Sequence, residues 1–126
     1  MRVYDAHLDG TLVGFYYLVA SSNPPDMVSE EAAEKFGRVK AAPCVYLGMV
    51  GTHAEYQRNG IGRVLMLDAM TITLKVAEYV GLYALTLEAI NQEKADLYRR
   101  WGFQYFIDGE LKMFMPIGTI RQLLTP

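Results

Sequence analysis

A strand, a glycine-containing turn, a long helix and a second strand are predicted in succession between residues 44 and 90. Cys44–Thr52 is rich in apolar and β-branched residues, and Gly60–Val80 repeats apolar residues at the helical period. Leu82–Ile90 is again apolar and strand-like. A helix that joins two strands of one sheet makes a right-handed crossover. This unit therefore predicts a mixed α/β sheet, with Gly81 suited to cap the C-terminus of the long helix.

Two further strands are predicted around the dipeptide Asp9-Gly10. The runs Arg2–Leu8 and Thr11–Ser21 are rich in β-branched and aromatic residues. Asp-Gly favours a tight turn because both residues tolerate positive φ. The pattern predicts an antiparallel hairpin at the start of the chain.

The rest of the chain predicts short elements. Ser22–Pro43 has the character of a surface insertion, with a short helix over Ser29–Phe36 that Gly37 would end. Asn91 is a good N-cap for a helix that runs to Trp101 and stops at Gly102. The remaining segments are two extended stretches and a helical tail: Gln104–Ile107, Leu111–Pro116 and Ile120–Leu124.

Composition limits the possible functions. The chain has 126 residues, 52% of them hydrophobic, which is enough for a single domain over 1–126 with one core. Its 12 basic and 14 acidic residues give no general attraction to nucleic acid. One cysteine and two distant histidines predict neither a disulfide nor a metal site. The longest apolar run, Leu12–Ala20, is too short to span a bilayer, so we expect a cytoplasmic protein.

The stretch Tyr56-Gln57-Arg58-Asn59-Gly60-Ile61-Gly62 leads from the third strand into the long helix. A helix N-terminus presents unpaired backbone N–H groups and a partial positive charge, which suit a phosphate or pyrophosphate. Gly60 and Gly62 would let the backbone approach the anion, while Gln57, Arg58 and Arg63 supply donors. The alternative is a tight turn before a core helix. The spacing matches neither a P-loop nor a dinucleotide fingerprint.

Gln57, Gly60 and Gly62 match the pyrophosphate loop, Gln/Arg-x-x-Gly-x-Gly/Ala, of the GNAT superfamily of acyl-CoA N-acyltransferases, which this chain resembles. The resemblance continues in Asn91 and in Leu97-Tyr98-Arg99-Arg100-Trp101-Gly102-Phe103, and it covers roughly residues 11 to 124. Val13–Leu18 and Leu111–Pro116 are similar to the GNAT toxins of bacterial toxin-antitoxin modules. Members of that subgroup acetylate the α-amine of the amino acid on charged tRNA.

The resemblance implies a mixed, mostly antiparallel GNAT-like sheet with a V-shaped splay between flanking helices. It also implies that the first strand and paired helices of the family are missing before the hairpin. Acetyl-CoA would be the acyl donor. The implied donor contacts lie on the strand edge, the loop and the next helix start: Met49, Val50, Gly51, Thr52, Gln57, Arg58, Asn59, Gly60, Ile61, Gly62, Arg63 and Asn91.

Tyr98 falls at the family's tyrosine position, so the resemblance implies that it protonates the departing thiolate. A tyrosine on an amphipathic helix is also a common core residue, and Asn91 can serve as N-cap, as cofactor contact or as both. For a general base, Glu88 and His53 are candidates, each with a structural alternative, and a water relay stays open.

The leading hypothesis is an acetyl-CoA-dependent N-acetyltransferase, and the toxin that acetylates aminoacyl-tRNA is its sharpest form. Such a protein would have an antitoxin partner. A non-catalytic acyl-CoA sensor and a plain protein-interaction module are the alternatives. Aromatic residues in Phe15–Tyr17 also suggest a homodimer contact.

Overall fold

The computed structural model describes residues 1–8, 10–52, 60–107 and 109–125. Its six strands form one sheet in the order β1-β2-β3-β4-β6-β5. The strands are β1 Arg2–Leu8, β2 Thr11–Asn23, β3 Ala42–Thr52, β4 Ala84–Glu88, β5 Gln104–Tyr105 and β6 Lys112–Pro116. The helices are α1 Pro25–Val28, α2 Glu30–Phe36, α3 Ile61–Ala77, α4 Gln92–Arg100 and α5 Ile117–Leu124.

The predicted hairpin is confirmed. Strands β1 and β2 pair antiparallel down to Leu8 and Thr11, and Gly10 has the positive φ of 80° that the turn requires. Strand β2 runs on past the predicted end to Asn23 and pairs antiparallel with β3 along its length. The hairpin and β3 therefore form one antiparallel half of the sheet.

The crossover through α3 is also confirmed, because β3 and β4 are parallel. The predicted C-terminal end of the long helix was wrong, since α3 ends at Ala77 and not at Val80. Glu78 and Tyr79 donate backbone N–H bonds to the carbonyls of Lys75 and Val76, so the last turn closes without a residue at positive φ. Gly81 is therefore not the C-cap that the sequence predicted.

The short helix predicted over Ser29–Phe36 is α2, which begins one residue later at Glu30. Ser29 is its N-cap, since its Oγ accepts a 3.0 Å hydrogen bond from the N–H of Ala32. The short helix α1 was not predicted, because Asn23-Pro24-Pro25 suggests a turn. Pro25 occupies the first turn of α1, where its missing N–H costs nothing. Both helices come between β2 and β3 in the chain. They pack on one face of the sheet, where Val28 and Ala32 are fully buried.

Two separate clusters of buried residues lie on the two faces of the sheet. The large cluster packs Val45, Leu85 and Met113 against α3 and α5. The small cluster packs Cys44, Ala84 and Phe114 against α1 and α2. Alternation of side chains along β3, β4 and β6 supplies both clusters from neighbouring positions.

The parallel strands β3 and β4 are paired over only part of their length. They pair from Cys44 and Ala84 to Tyr46 and Thr86, and in the described part of the chain no pairing between them continues beyond that point. Strand β3 instead follows β2 to Thr52, while β4 follows β6 to Glu88 and Lys112. This is the V-shaped splay that the resemblance implied.

Within the described ranges, no helix combines the length and apolarity needed to cross a bilayer. The same ranges hold no group of three or more His, Cys, Asp or Glu side chains that could bind a metal ion.

Candidate active site where two strands part

Past Tyr46, the edge of β3 that faces β4 has no strand partner among the described residues. A bulge lies on this stretch, because Tyr16 pairs with Met49 and Phe15 pairs with Gly51, which leaves Val50 as the extra residue. Bulges interrupt the ladder and redirect a strand, and they are common beside active sites. The backbone of Met49–Thr52 can therefore bond an extended ligand inserted between the strands.

The N-terminus of α3 forms an open corner. Gly60 precedes the helix with φ of 77°, which an L-residue adopts only at a cost. Gly62 has no positive φ, and no described atom lies within 4 Å of where a Cβ on either glycine would stand. The turn itself thus explains Gly60, whereas neither backbone nor packing explains Gly62. Close approach of a ligand to the backbone would explain it.

The charge at this corner favours an anion. The first turn of α3 contains no acidic residue, although acidic residues usually stabilise this end of a helix. It contains Arg63 instead, whose side chain is exposed. A bound phosphate would supply the missing negative charge at a helix start where Ile61 and Gly62 present their N–H groups.

Four predicted site residues lie outside the described residues: Gln57, Arg58, Asn59 and the candidate base His53. For Met49–Thr52 and Ile61, the structure describes the backbone path.

Asn91 is confirmed as the N-cap of α4. Its Oδ1 accepts a 2.9 Å hydrogen bond from the N–H of Lys94, and its backbone is extended as a cap residue requires. The side-chain NH2 group is not part of that bond, and Asn91 is exposed just past the end of β4. The cap and a cofactor contact are therefore compatible.

Tyr98 lies on α4 and packs against the large cluster. Its ring stands 5.8 Å from that of Trp101 and meets the ring of Phe103 edge-on at 6.0 Å, measured between centroids. Burial raises the pKa of Tyr98 above the usual value near 10, so the phenol keeps its proton at neutral pH. A protonated phenol can act as a general acid toward a thiolate.

Glu88 lies at the end of β4 on the opposite face from Tyr98. Its neighbour Leu87 belongs to the large cluster, while Glu88 is exposed and stands across from Lys112 on β6. The two predicted catalytic residues therefore lie on opposite faces of the sheet. That arrangement can serve a donor held in the gap and an acceptor arriving at one face.

Sequence reasoning missed a pair of aromatic rings beside the gap. Tyr17 and Tyr46 lie on the same face as Glu88, with ring centroids 6.3 Å apart. Phe15–Tyr17 suggested only a subunit contact. The signal for a site was Gly48, because a glycine inside a strand often marks a close approach of another group.

Comparison with known proteins decides the family. Residues 2–105 match the model of the acetyltransferase (GNAT) domain. The chain belongs to the GNAT acetyltransferase family. The resemblance found in the glycine loop and around Tyr98 is thereby confirmed, and so is the donor chemistry that the family implies.

Three relatives of this GNAT protein illustrate its place in the family. "Probable toxin TacT" of Sinorhizobium fredii is 29% identical over 98% of this chain and 74% of its own length. "tRNA-acetylating toxin" of Mycobacterium tuberculosis is 25% identical over 92% of this chain and 69% of its own. A solved structure of a Tyr→Phe mutant of the toxin AtaT, bound to the C-terminus of the antitoxin AtaR and acetyl-CoA, superposes with a TM-score of 0.74 at 25% identity. That superposition covers 92% of this chain and 67% of the AtaT chain.

Proposed function

We propose that this chain transfers the acetyl group of acetyl-CoA to the α-amine of the amino acid on charged tRNA, and that it acts as the toxin of a toxin-antitoxin pair. The observation that carries the proposal is the β3 edge past Tyr46, which has no strand partner among the described residues, together with the open N-terminus of α3, the next described element of the chain. A ligand in which an amide-rich arm joins a diphosphate to a thioester fits such an edge. The relatives named as toxins support the choice of acceptor.

The donor contacts follow from the local backbone. The edge at Met49–Thr52 bonds the pantetheine arm, and an N–H there polarises the thioester carbonyl. Gly60, Ile61, Gly62 and Arg63 receive the pyrophosphate at the helix start, together with Gln57, Arg58 and Asn59. Asn91 contacts the donor through its side-chain NH2 group while Oδ1 caps α4.

The reaction forms one bond and breaks one. The neutral amine nitrogen attacks the thioester carbonyl carbon, the C–N bond forms, and the C–S bond breaks with its electron pair leaving on sulfur. Tyr98 gives its proton to the thiolate. The one proton that the attacking nitrogen loses is taken by Glu88 or water and passed to solvent, from which Tyr98 regains a proton. The products are an N-acetylated aminoacyl-tRNA and free coenzyme A.

Binding of tRNA by an acidic chain requires local basic groups. Exposed Arg99 and Arg100 at the end of α4 and Lys112 on β6 are such groups. Arg38 and Lys40, after α2, are also exposed. We infer a cytoplasmic location, where charged tRNA is found, and a neutralising antitoxin as partner.

The test separates donor binding from acceptor choice. Acetyl-CoA at one hundred times its dissociation constant should stabilise the fold by about 2.7 kcal/mol, measured as a thermal shift. Thiol release should then require charged tRNA, with deacylated tRNA and free amino acids as controls. The N-acetyl group should be recovered on the amino acid after the ester is hydrolysed.

Each negative result has a distinct meaning. A missing thermal shift with millimolar acetyl-CoA would remove the donor site. A normal shift without thiol release would favour the acyl-CoA sensor over the enzyme. Normal growth of bacteria that express the chain without its antitoxin would remove the toxin role.

A further inference from the structure

The ring of Tyr17 lies across strand β3 on the face opposite α3. A Cβ built on Gly48 would stand 2.0 Å from Cζ of Tyr17 and 2.5 Å from its Oη. Carbon atoms of a side chain do not approach a ring so closely, so only glycine at position 48 permits this placement. The phenol end of Tyr17 therefore occupies the space that a side chain of β3 would fill.

This position faces Glu88 across the gap. Gly48 lies two residues beyond Tyr46, and Glu88 lies two residues beyond Thr86, where the pairing of β3 with β4 ends. Residues two apart on a strand share a face. The hydroxyl of Tyr17, over β3, and the carboxylate of Glu88, on β4, thus lie on either side of the gap and on the same face of the sheet.

Tyr46 links the two groups. Its ring lies 6.3 Å from that of Tyr17, between centroids. The pKa of Tyr46 is raised mainly by burial, and also by Tyr17 and by the charge of Glu88. All three side chains therefore form one cluster, which we call the acceptor clamp: Tyr17, Tyr46 and Glu88.

The acceptor clamp is open to solvent. Helices α1 and α2 cover this face only as far as Cys44, Ala84 and Phe114 in the small cluster. Beyond them Glu88 is exposed and Tyr17 is half-buried. Lys112 stands opposite Glu88 on β6, so a positive charge adjoins the negative one. An ammonium group next to a phosphate matches this order of charges.

We propose that the Tyr17 hydroxyl and the Glu88 carboxylate accept hydrogen bonds from the acceptor's amino group and aim its nitrogen into the gap, with Lys112 beside the adjoining phosphate. The inference rests on the proposed function and deepens it, because it names the residues that recognise the α-amine of an aminoacyl ester. Tyr98 acts from the other face and plays no part in this recognition. Gly48 is a positioning residue, since it acts through the ring of Tyr17.

The experiment measures kinetic constants for acceptor and donor separately. Thiol release is followed with two acceptors, mixed charged tRNA and leucinamide, for the wild type, Tyr17→Phe, Glu88→Gln and the double variant. Tyr79→Phe, which removes a hydroxyl from a tyrosine that is 86% exposed in the turn after α3, is the matched control. Acetyl-CoA thermal shifts check that the donor site is intact.

Loss of one hydrogen bond to the acceptor's amino group should raise the acceptor KM of Tyr17→Phe about tenfold. The acetyl-CoA KM and thermal shift should stay within about twofold of wild type, since no donor contact is removed. The double variant with Glu88→Gln should lose less than the product of the single losses, because both groups bind one amine. Gly48→Ala should reproduce the Tyr17 defect by displacing the ring.

The clamp and the proposed function fail in different ways. Turnover by the wild type with an unchanged acceptor KM in Tyr17→Phe overturns the clamp and leaves the function standing. Tyr17-dependent turnover of leucinamide but none of charged tRNA overturns the acceptor class and keeps the clamp. No wild-type turnover of either acceptor overturns both.

Discussion

The two faces of the sheet do different work along the same strands. On the α3 face, the large cluster covers the sheet and continues to Tyr98, so the gap between β3 and β4 is backed by packed side chains. On the other face, the small cluster covers the sheet only around Cys44, Ala84 and Phe114. It leaves Tyr17, Tyr46 and Glu88 at the gap. The contrast shows how a splayed sheet can hold a donor from one side and admit an acceptor from the other.

Neighbouring residues on β6 test the packing half of this comparison. Phe114→Ala should destabilise the fold by about 3 to 5 kcal/mol and Met113→Ala by about 2 to 5 kcal/mol, because both side chains are almost fully buried. Urea unfolding gives the losses. Hydrogen exchange should then show early loss of protection in Pro25–Phe36 for Phe114→Ala and in α3 for Met113→Ala. Identical exchange patterns would mean that the faces do not pack independently.

Tyr98→Phe tests the chemistry assigned to the α3 face. Removal of the general acid should lower kcat about 100-fold, equivalent to about 2.7 kcal/mol. The KM for acetyl-CoA should change little. Because burial raises the pKa of Tyr98, the wild type should keep this acid protonated to higher pH than an exposed tyrosine would. A variant as fast as wild type would mean that the thiolate takes its proton from elsewhere.

Tyr16 and Tyr17 are adjacent and point to opposite faces, so they make a matched pair. The fully buried Tyr16 donates a hydrogen bond to Asp68 Oδ2 on α3, and its ring stacks on Tyr4 at 5.0 Å. Tyr16→Phe should cost about 1.5 kcal/mol of stability with no change in acceptor KM. Tyr17→Phe should raise the acceptor KM with no loss of stability. Stability loss in both variants would remove the distinction between the faces.

The same tyrosine predicts alkaline behaviour. Burial, the hydrogen bond to Asp68 and the charge of Asp68 raise the pKa of Tyr16. The folded state therefore holds this proton more tightly than the unfolded state, so its stabilising effect is complete below about pH 10 and is lost as pH rises. Unfolding free energies measured from pH 8 to 11 should fall less steeply in Tyr16→Phe.

Gly60→Ala and Gly62→Ala separate turn geometry from ligand approach. Gly60→Ala should cost about 1 kcal/mol because an L-residue is strained at φ of 77°, while Gly62→Ala should be neutral or slightly stabilising inside a helix. Acetyl-CoA affinity, measured by calorimetry, should fall in both variants under the proposed function, because each Cβ would stand where we propose that the diphosphate approaches. Full affinity in Gly62→Ala would argue that the corner is only a turn.

Asn91→Ala is expected to have the smallest effect on the fold. Loss of the 2.9 Å cap bond should cost about 0.5 kcal/mol, because the cap is exposed. Asn91→Ser keeps a capping oxygen and loses the NH2 group, so it is the control. If Asn91 also contacts the donor, both variants should bind acetyl-CoA more weakly, whereas a cap alone would affect only Asn91→Ala.

Local patterns predicted the parts of the fold that local chemistry determines. The hairpin turn at Gly10, the Asn91 cap and the stop at Gly102, which has φ of 111°, depend on a few neighbouring atoms each. The end of α3 was missed because apolar periodicity continues to Val80, although Val80 is 55% exposed and packs poorly. Helix α1 was missed because prolines that start a helix resemble prolines that form a loop.

The candidate site divides in the same way. The glycine corner and Tyr98 are contiguous motifs, so spacing along the chain was enough to find them. The acceptor clamp joins residues 17, 46 and 88, which come from three strands, and no spacing rule connects them. Gly48 was the only local sign of the clamp in the sequence, and its neighbours in the chain do not indicate that the Tyr17 ring lies over it.

By itself the sequence determined the family, the glycine corner at Gly60 and Gly62 and the helix that carries Tyr98, because these depend on residues close together in the chain. Only the tertiary structure decided where β3 and β4 separate, which is after Tyr46, and that the Tyr17 ring crosses β3 over Gly48. The physical reason is that strand pairing and ring placement are set by packing between distant segments. The glycine at position 48 is explained only by the Tyr17 ring, which fills the space that a side chain there would occupy.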